Sequence, residues 1–298
     1  MAINLRDLEY LVAVDEEHHF HRAAERCYVS QPTLSGQLKK LEERLGVTLV
    51  ERSTRQVVMT DVGRAVSAQA RRVLSAARGI EEIAQSFHDP MAGELQVGLI
   101  PTLAPYLLPQ IMPAVKKRFP DLKLWLHEQQ TAVLLERLHK AELDLLLLAL
   151  PVASNKFVER DLFCEPFWLA LPKSDPLARS RQARLSDLNS RELMLLEEGH
   201  CLREHALDVC LTAGASEYAS FHATSLETLR HMVGEGMGIT LMPQLSLPRR
   251  LTKSDPVQYL PFPEPQPSRR IGMLYRKGSY REEAFLALAE TIRETVQL

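Results

Sequence analysis

Cysteine is scarce in this chain, with four among 298 residues (Cys27, Cys164, Cys201 and Cys210). Their spacing is uneven and no short CxxC pair occurs, which argues against a secreted disulfide framework and for a reducing compartment. Long apolar runs are absent too. The longest, Leu145 to Val152, has the length of one buried strand and its exit, far short of the roughly 18 residues a membrane span needs. The opening residues Met1-Ala2-Ile3-Asn4-Leu5-Arg6 show no basic-then-apolar secretory pattern. A cytoplasmic protein with no membrane partner is expected. Charge of one sign is also missing. With 36 Lys+Arg against 38 Asp+Glu, the net charge is −2, so any contact with nucleic acid must come from a local patch. Hydrophobic residues at 45% and charged residues at 25% are ordinary for a globular protein, and the length suits two or three domains.

Helical periodicity opens the chain. Leu5, Leu8, Leu11 and Val12 predict a first helix to about Glu16, and Phe20 to Cys27 a second, with Ala23 and Ala24 allowing close packing and Cys27 a small core residue. Ser30 suits an N-cap and Pro32 the first turn. Leu34, Leu38, Leu41 and Leu45 then mark a third helix, ended by Gly46. The pattern is a helix-turn-helix. Ser30, Gln31, Pro32, Thr33, Ser35 and Gln37 lead its polar face, where short hydrogen-bonding side chains suit base edges; Lys39 and Lys40 suit phosphates. Leu49 to Val58 reads as a two-stranded wing carrying Arg52 and Arg55. A helical bundle with a solvated polar face is the plainer alternative.

From about Thr60 to Phe87, Val66, Ala70, Val73, Ala77, Ile80, Ala84 and Phe87 alternate spacings of four and three, as a coiled-coil seam does. Two chains joined there would pair two recognition helices, so double-stranded DNA with two-fold-related half-sites is the expected partner. After residue 90 strands and helices alternate: Glu94–Ile100, a helix to about Phe119, Leu122–Glu128, a helix Thr131–Lys140, and the apolar Leu143–Leu150. This βαβαβ order predicts a parallel sheet. Phe167–Pro172, Glu192–Leu196, Phe221–Ala223 and Gly238–Met242 supply strands for a second unit. A capping box at Thr224-Ser225-Leu226-Glu227 opens a helix to Val233, and Ile271–Tyr275 with the helix Glu282–Val296 returns to the first unit.

The segment Glu197 to Cys210 holds two of the four cysteines. Its apolar stripe (Leu202, Ala206, Leu207, Val209) predicts a helix after Gly199. A continuous helix would hold the Cα atoms of Cys201 and Cys210 about 13 Å apart, whereas a disulfide needs them within about 7 Å. Pairing would therefore require the segment to refold. Three readings stand at this point: a helix with two half-buried thiols, a metal site from His200, Cys201, His205 and Cys210, and a reactive Cys201 thiol at a helix N-terminus beside His200 and Arg203, opposed by Glu197, Glu198 and Glu204.

The motifs Phe20-His21-Arg22-Ala23-Ala24, Val29-Ser30-Gln31-Pro32-Thr33-Leu34-Ser35, Leu41-Glu42-Glu43-Arg44-Leu45-Gly46-Val47 and Leu49-Val50-Glu51-Arg52 closely resemble the LysR-type transcriptional regulators. The resemblance implies a winged helix-turn-helix over residues 1–58, a dimerising linker helix over 59–90, and an α/β effector domain like the periplasmic binding proteins over 91–298. One subdomain would comprise about 91–163 and 267–298, the other about 164–266. Gly98-Leu99-Ile100-Pro101-Thr102, Pro105 to Pro109, His127-Glu128 with Thr131, Gly199 to Arg203, Cys210, and Ala223 to Arg230 are similar to the peroxide-sensing members of that family.

That similarity implies that Cys201 is peroxidatic and Cys210 resolving. Thr102, Thr131 and His200 would line the peroxide pocket, and Arg269, or else its neighbour Arg270, would favour thiolate. Cys164 is expected to be a buried bystander. The implied partners are hydrogen peroxide, DNA, further copies of the chain in a dimer or tetramer, RNA polymerase and a thiol reductant. No metal or other cofactor is expected, and no enzyme turnover. A regulator of some small metabolite with inert cysteines is the alternative.

Overall fold

Three helices open the chain: α1 (Leu5–Glu17), α2 (Phe20–Arg26) and α3 (Gln31–Leu45). The computed structural model describes residues 3–52, 57–86, 91–152, 155–248, 252 and 254–298. The chain folds as two units, residues 1–89 with 139–142 and residues 90–138 with 143–298. In the first, the Ser30 hydroxyl accepts the Thr33 N–H at 3.3 Å and caps α3, while Gly46 at φ 71° ends it. Leu34, Leu38 and Leu41 are fully buried against Leu11, Val14 and Ala23, as their spacing predicts. Cys27 follows α2, half-buried on this core.

Strands β1 (Val50–Arg52) and β2 (Val57–Met59) form the antiparallel wing. The Glu42 carboxylate anchors it, accepting the N–H groups of Leu49 and Val50 at 2.8 and 3.1 Å. Helix α4 (Asp61–Ser86) follows, capped by Thr60, whose hydroxyl accepts the Gly63 N–H at 2.9 Å and donates to the Thr48 carbonyl at 2.8 Å. A Cβ at Gly63 would lie 2.0 Å from the Leu49 carbonyl oxygen, so only glycine lets this helix abut the wing. Asp15 of α1 holds α4 from the other side, accepting from Ser67 at 2.7 Å and from Arg71 at 2.6 Å. This packing divides the expected seam. Val66 and Ala70 are covered by their own chain, Ala77 is half-buried, and Val73 and Ile80 remain 38% and 70% exposed. The Ala84 side chain and Phe87 lie outside the described residues, as do the Arg52 side chain and Arg55.

The second unit begins with a parallel core of β3 (Gly93–Leu99), β4 (Leu122–Glu128) and β5 (Leu145–Leu150), joined through α5 (Ala104–Arg118) and α6 (Thr131–His139). All six residues of β5 are buried, which explains its unbroken apolar run. Next comes β6 (Phe157–Pro172), a 16-residue strand of which only the last third is legible as a strand in the sequence. The chain continues through β7 (Glu192–Leu196), α7 (Cys201–Ala213), β8 (Ser216–Ala223), α8 (Leu226–Gly234), β9 (Thr240–Pro243), β10 (Val257–Pro261), β11 (Ser268–Arg276) and α9 (Glu282–Thr295). Strand β10 has no counterpart in the sequence reading. The cap of α8 is Ser225, which accepts the Thr228 N–H at 3.2 Å, rather than Thr224.

The sheet order is β10-β6-β11-β5-β3-β4, with β9 also on β6. Strand β6 serves two cores. Up to Pro166 it pairs with β11, and from Phe167 it pairs with β9 and β10. One core lies among β3, β5, β11, α5 and α9, the other among β6, β7, α7, α8 and β10.

Gly272 of β11 sits where the ladder to β6 shifts register. A Cβ there would lie 2.2 Å from the Leu150 side chain and 2.8 Å from the Arg160 carbonyl oxygen. Gly272→Ala should therefore cost about 1–3 kcal/mol by overpacking, read as a lower urea midpoint at unchanged slope. A wild-type midpoint would contradict this packing.

Candidate functional site

Helix α7 starts where a glycine permits it. Gly199 has φ +91°, and a Cβ on it would fall 2.7 Å from the Gln130 amide oxygen, so the turn into the helix needs both the left-handed backbone and the missing side chain. His200 occupies the N-cap position without a side-chain cap. It is 7% exposed, with Glu197 3.9 Å from its Nε2. Burial holds its pKa below the usual histidine range, with Glu197 opposing. Cys201 is the first helical residue.

The helix lies across the two cores. Leu202, Ala206 and Cys210 are buried in the β6–β7–α8 core, while half-buried Cys201 packs against the β3–β5–α5 core. Arg203 ties the helix to its own subdomain, donating to the Leu196 carbonyl at 3.2 Å and to Glu217 through both terminal nitrogens, one of them at 2.7 Å. Gly214 at φ 69° and the Ala215 N–H, bonded to the Cys210 carbonyl at 2.9 Å, end it. Unbroken helix separates the two thiols, nine positions apart and about 13 Å between Cα atoms. Both are free.

Opposite Cys201 stands a fully buried ion pair. Arg269 and Glu165 are cross-strand partners in β11 and β6, and their side chains are both 0% exposed. Arg269 Nε donates to Glu165 at 2.8 Å, Nη1 to the Thr102 hydroxyl at 2.8 Å and Nη2 to the Thr102 carbonyl at 3.0 Å. The other Glu165 oxygen accepts the Leu245 N–H at 2.9 Å. Strand alternation settles the choice of arginine. Arg269 points inward, and Arg270 points out to a bidentate pair with Asp161, 2.9 Å for each bond. The same alternation corrects the expectation for Cys164. It is exposed rather than buried, because Glu165 beside it takes the inward position, and its thiol donates to Ser268 Oγ at 3.2 Å.

Opposing effects set the charge of Cys201. Burial pushes its thiol upward most strongly, and Glu204 adds to this; Arg269, Thr131 and the Leu202 N–H favour thiolate. The balance lies above the ordinary thiol value, so at neutral pH this conformation holds a thiol with a thiolate minority. Thr131, at the start of α6, has a buried hydroxyl near enough the sulfur to favour thiolate yet without a well-aligned hydrogen bond. Cys210 is also pushed up, by burial and then by Glu217.

Thr102, Thr131, Cys201 and Arg269 thus converge on the C-terminal ends of β3 and β4, where open α/β sheets place their ligand sites, and His200 adjoins Cys201 in the chain with its ring beside Glu197. Cys210 does not join them. Glu165 and Gln130 belong to the site but were not among the sequence-derived candidates, and His205 was offered there only as a metal ligand. Only His205 had a legible signal, its i, i+4 relation to Cys201. Among the described residues no cluster of three His, Cys, Asp or Glu could hold a metal. In the first unit, Ser30, Gln31, Pro32, Thr33, Lys39 and Lys40 are exposed on α3, and Ser35 and Gln37 are half-buried.

A recognition helix with a wing, joined through a long helix to a two-core α/β unit, is the plan of a one-component bacterial regulator. The chain belongs to the LysR family: residues 5–64 match the lysR-family bacterial regulatory helix-turn-helix, and residues 88–297 match the LysR substrate binding domain. It is a DNA-binding transcriptional regulator of a kind that oligomerises. It is 49% identical over 295 residues to a hydrogen peroxide-inducible genes activator of Pectobacterium carotovorum, covering 99% of this chain and 97% of the relative. It is also 49% identical to the Escherichia coli dual regulator OxyR, covering 98% and 95% of the two chains. A solved full-length OxyR cysteine-to-aspartate variant from Pseudomonas aeruginosa superposes with a TM-score of 0.81 at 37% identity, covering 98% of this chain and 95% of that one.

The orphaned Thr131 hydroxyl generates a paired expectation. Thr131→Val removes a group that favours thiolate, so iodoacetamide alkylation of Cys201 at pH 7 should slow several-fold and its pH midpoint should rise. The same change removes a buried unpaired polar atom, so unfolding stability should hold or rise by about 1–3 kcal/mol. Unchanged alkylation would remove Thr131 from the site.

Proposed function

We propose that this regulator senses hydrogen peroxide through Cys201 and Cys210 and transmits their oxidation to its DNA-binding unit, controlling oxidative-stress genes. The observation that carries this reading is the placement of a half-buried thiol at a helix N-terminus, facing a buried guanidinium and an unpartnered hydroxyl. The names of the relatives, which are peroxide-inducible activators, support it. A metabolite regulator with inert cysteines has no use for a charged residue buried against a thiol.

In the proposed chemistry the Cys201 thiolate attacks one peroxide oxygen, the O–O bond breaks, hydroxide leaves and takes up a proton, and sulfenic acid remains. The Cys210 thiol then attacks that sulfur, water leaves, and a disulfide forms. Arg269 holds the thiolate, and Thr102, Thr131 and His200 line the approach. Because an intact α7 keeps the thiols apart, the second step requires the helix to open. Losing its buried Leu202, Ala206 and Cys210 contacts costs a few kcal/mol. A disulfide formed against such a cost is easier to reduce, which suits a reversible switch reset by a cytoplasmic thiol reductant.

The remaining roles follow. Gln31, Pro32, Thr33, Ser35 and Gln37 would read base edges from a helix start capped by Ser30, and Lys39, Lys40, Arg52 and Arg55 would hold phosphates. Val73, Ala77, Ile80, Ala84 and Phe87 would pair two linker helices, Val66 and Ala70 being occupied within the chain. The α/β unit would act as an effector domain like the periplasmic binding proteins, assembled as a tetramer that engages RNA polymerase.

Non-reducing peptide mapping by mass spectrometry tests the core of this. A slight excess of peroxide should yield a Cys201–Cys210 linked peptide within seconds, reversed by a thiol reductant. Cys201→Ser should bind DNA without responding to peroxide, and Cys210→Ser should accumulate dimedone-reactive sulfenic acid. Slow oxidation scattered over all four cysteines would sink the reading.

A further inference from the structure

Buried polar atoms without partners are rare in folded proteins and point to a bound molecule or a chemical task. Three side-chain atoms of this kind occur among the described residues, and two of them, Thr131 Oγ1 and His205 Nδ1, lie at the Cys201 site. His205 is four residues after Cys201 in α7, which sets the two side chains on one face of the helix, one turn apart. Arg269 acts electrostatically on both Cys201 and His205, so that face looks toward the guanidinium. Arg269 itself commits three of its N–H groups to Glu165 and Thr102.

We propose that His205 is a further catalytic residue of the peroxide reaction, its Nδ1–H donating a hydrogen bond to the oxygen that departs as Cys201 is oxidised. This rests on the reading of Cys201 as the peroxide-reactive thiol. The sulfur lone pair forms the S–O bond to the near oxygen, which keeps its hydrogen. The O–O bond breaks, the far oxygen leaves as hydroxide, and a proton from solvent converts it to water. Sulfur is oxidised by two electrons and peroxide is reduced by two. Negative charge moves from sulfur onto the far oxygen, so a donor aimed there stabilises the transition state more than the reactants.

An imidazole suits this position. Burial, and then the charge of Arg269, keep His205 neutral at physiological pH, with Asp208 and Glu204 opposing. A neutral ring donates one hydrogen bond without adding a second cation beside the thiolate. The proposal assigns the tautomer with its proton on Nδ1, the nitrogen left without a partner. Thr131 would steady the near oxygen and His205 the leaving one.

Full-length reduced protein tests the proposal by rapid-quench mapping of Cys201 oxidation by peroxide, with iodoacetamide alkylation of the same thiol measured alongside. Alkylation reports thiolate supply but expels no oxygen. His205→Ala should lower the peroxide rate constant about 10- to 100-fold while the alkylation rate and its pH profile stay within about twofold. His205→Asn, whose amide nitrogen takes the place of Nδ1, should restore most of the peroxide rate. A His205→Ala variant with the wild-type peroxide rate overturns the assignment, as does one in which both reactions fall together. Wild-type protein that alkylates but does not react with peroxide overturns the sensor reading and this proposal with it.

Discussion

A guanidinium buried away from water must be shared among groups that can satisfy it, and much of this α/β unit is arranged around how Arg269 is shared. Its carboxylate partner Glu165 comes from the facing strand, and Thr102 supplies both a hydroxyl and a carbonyl from the turn that leads into α5. Glu165 in turn holds the Leu245 N–H from the turn after β9. Removing either member of such a pair leaves a buried uncompensated charge, which costs several kcal/mol. The arrangement therefore fixes the junction of the two subdomains where β6 changes partners, and it leaves part of the positive charge to act on Cys201. Glu165 moderates that charge. A guanidinium without its carboxylate would favour thiolate more strongly, but the fold would not tolerate it.

The second constraint is the position of α7. One cysteine packs toward each core, and the helix between them is ended by glycine and pinned by Arg203 to Glu217. The reduced form is thus specified by ordinary helix chemistry, and the proposed oxidised form is excluded from it by distance alone. A covalent bond between the two thiols would have to be formed at the expense of that packing. Most of the helix packs on one subdomain while its first residue touches the other, so its loss would alter the relation between the two cores.

Much of this was legible in the sequence. The leucine spacing of α3, the Ser30 cap, the Gly46 stop and the unbroken run of β5 are local patterns that tertiary packing did not override. The motifs around Thr102, Cys201 and Cys210 were legible through family resemblance. Other features were not local. Strand β6 begins with Phe157-Val158-Glu159-Arg160-Asp161, whose polar side chains hide a strand because one side of it stays open to solvent. Glu165 gave no sign of its role because its partner lies 104 positions away. The burial of Val66 and Ala70 depends on α1, which a heptad count cannot see. The choice between Arg269 and Arg270 needed only the phase of β11, a single residue of register.

The two thiols can join only if α7 opens. Hydrogen exchange over residues 201–213, measured by mass spectrometry on reduced and peroxide-treated protein, tests it directly. Protection should be lost across α7 on oxidation, kept in β7 and α8, and regained on reduction. A Cys201–Cys210 disulfide that forms while α7 retains its protection would contradict it.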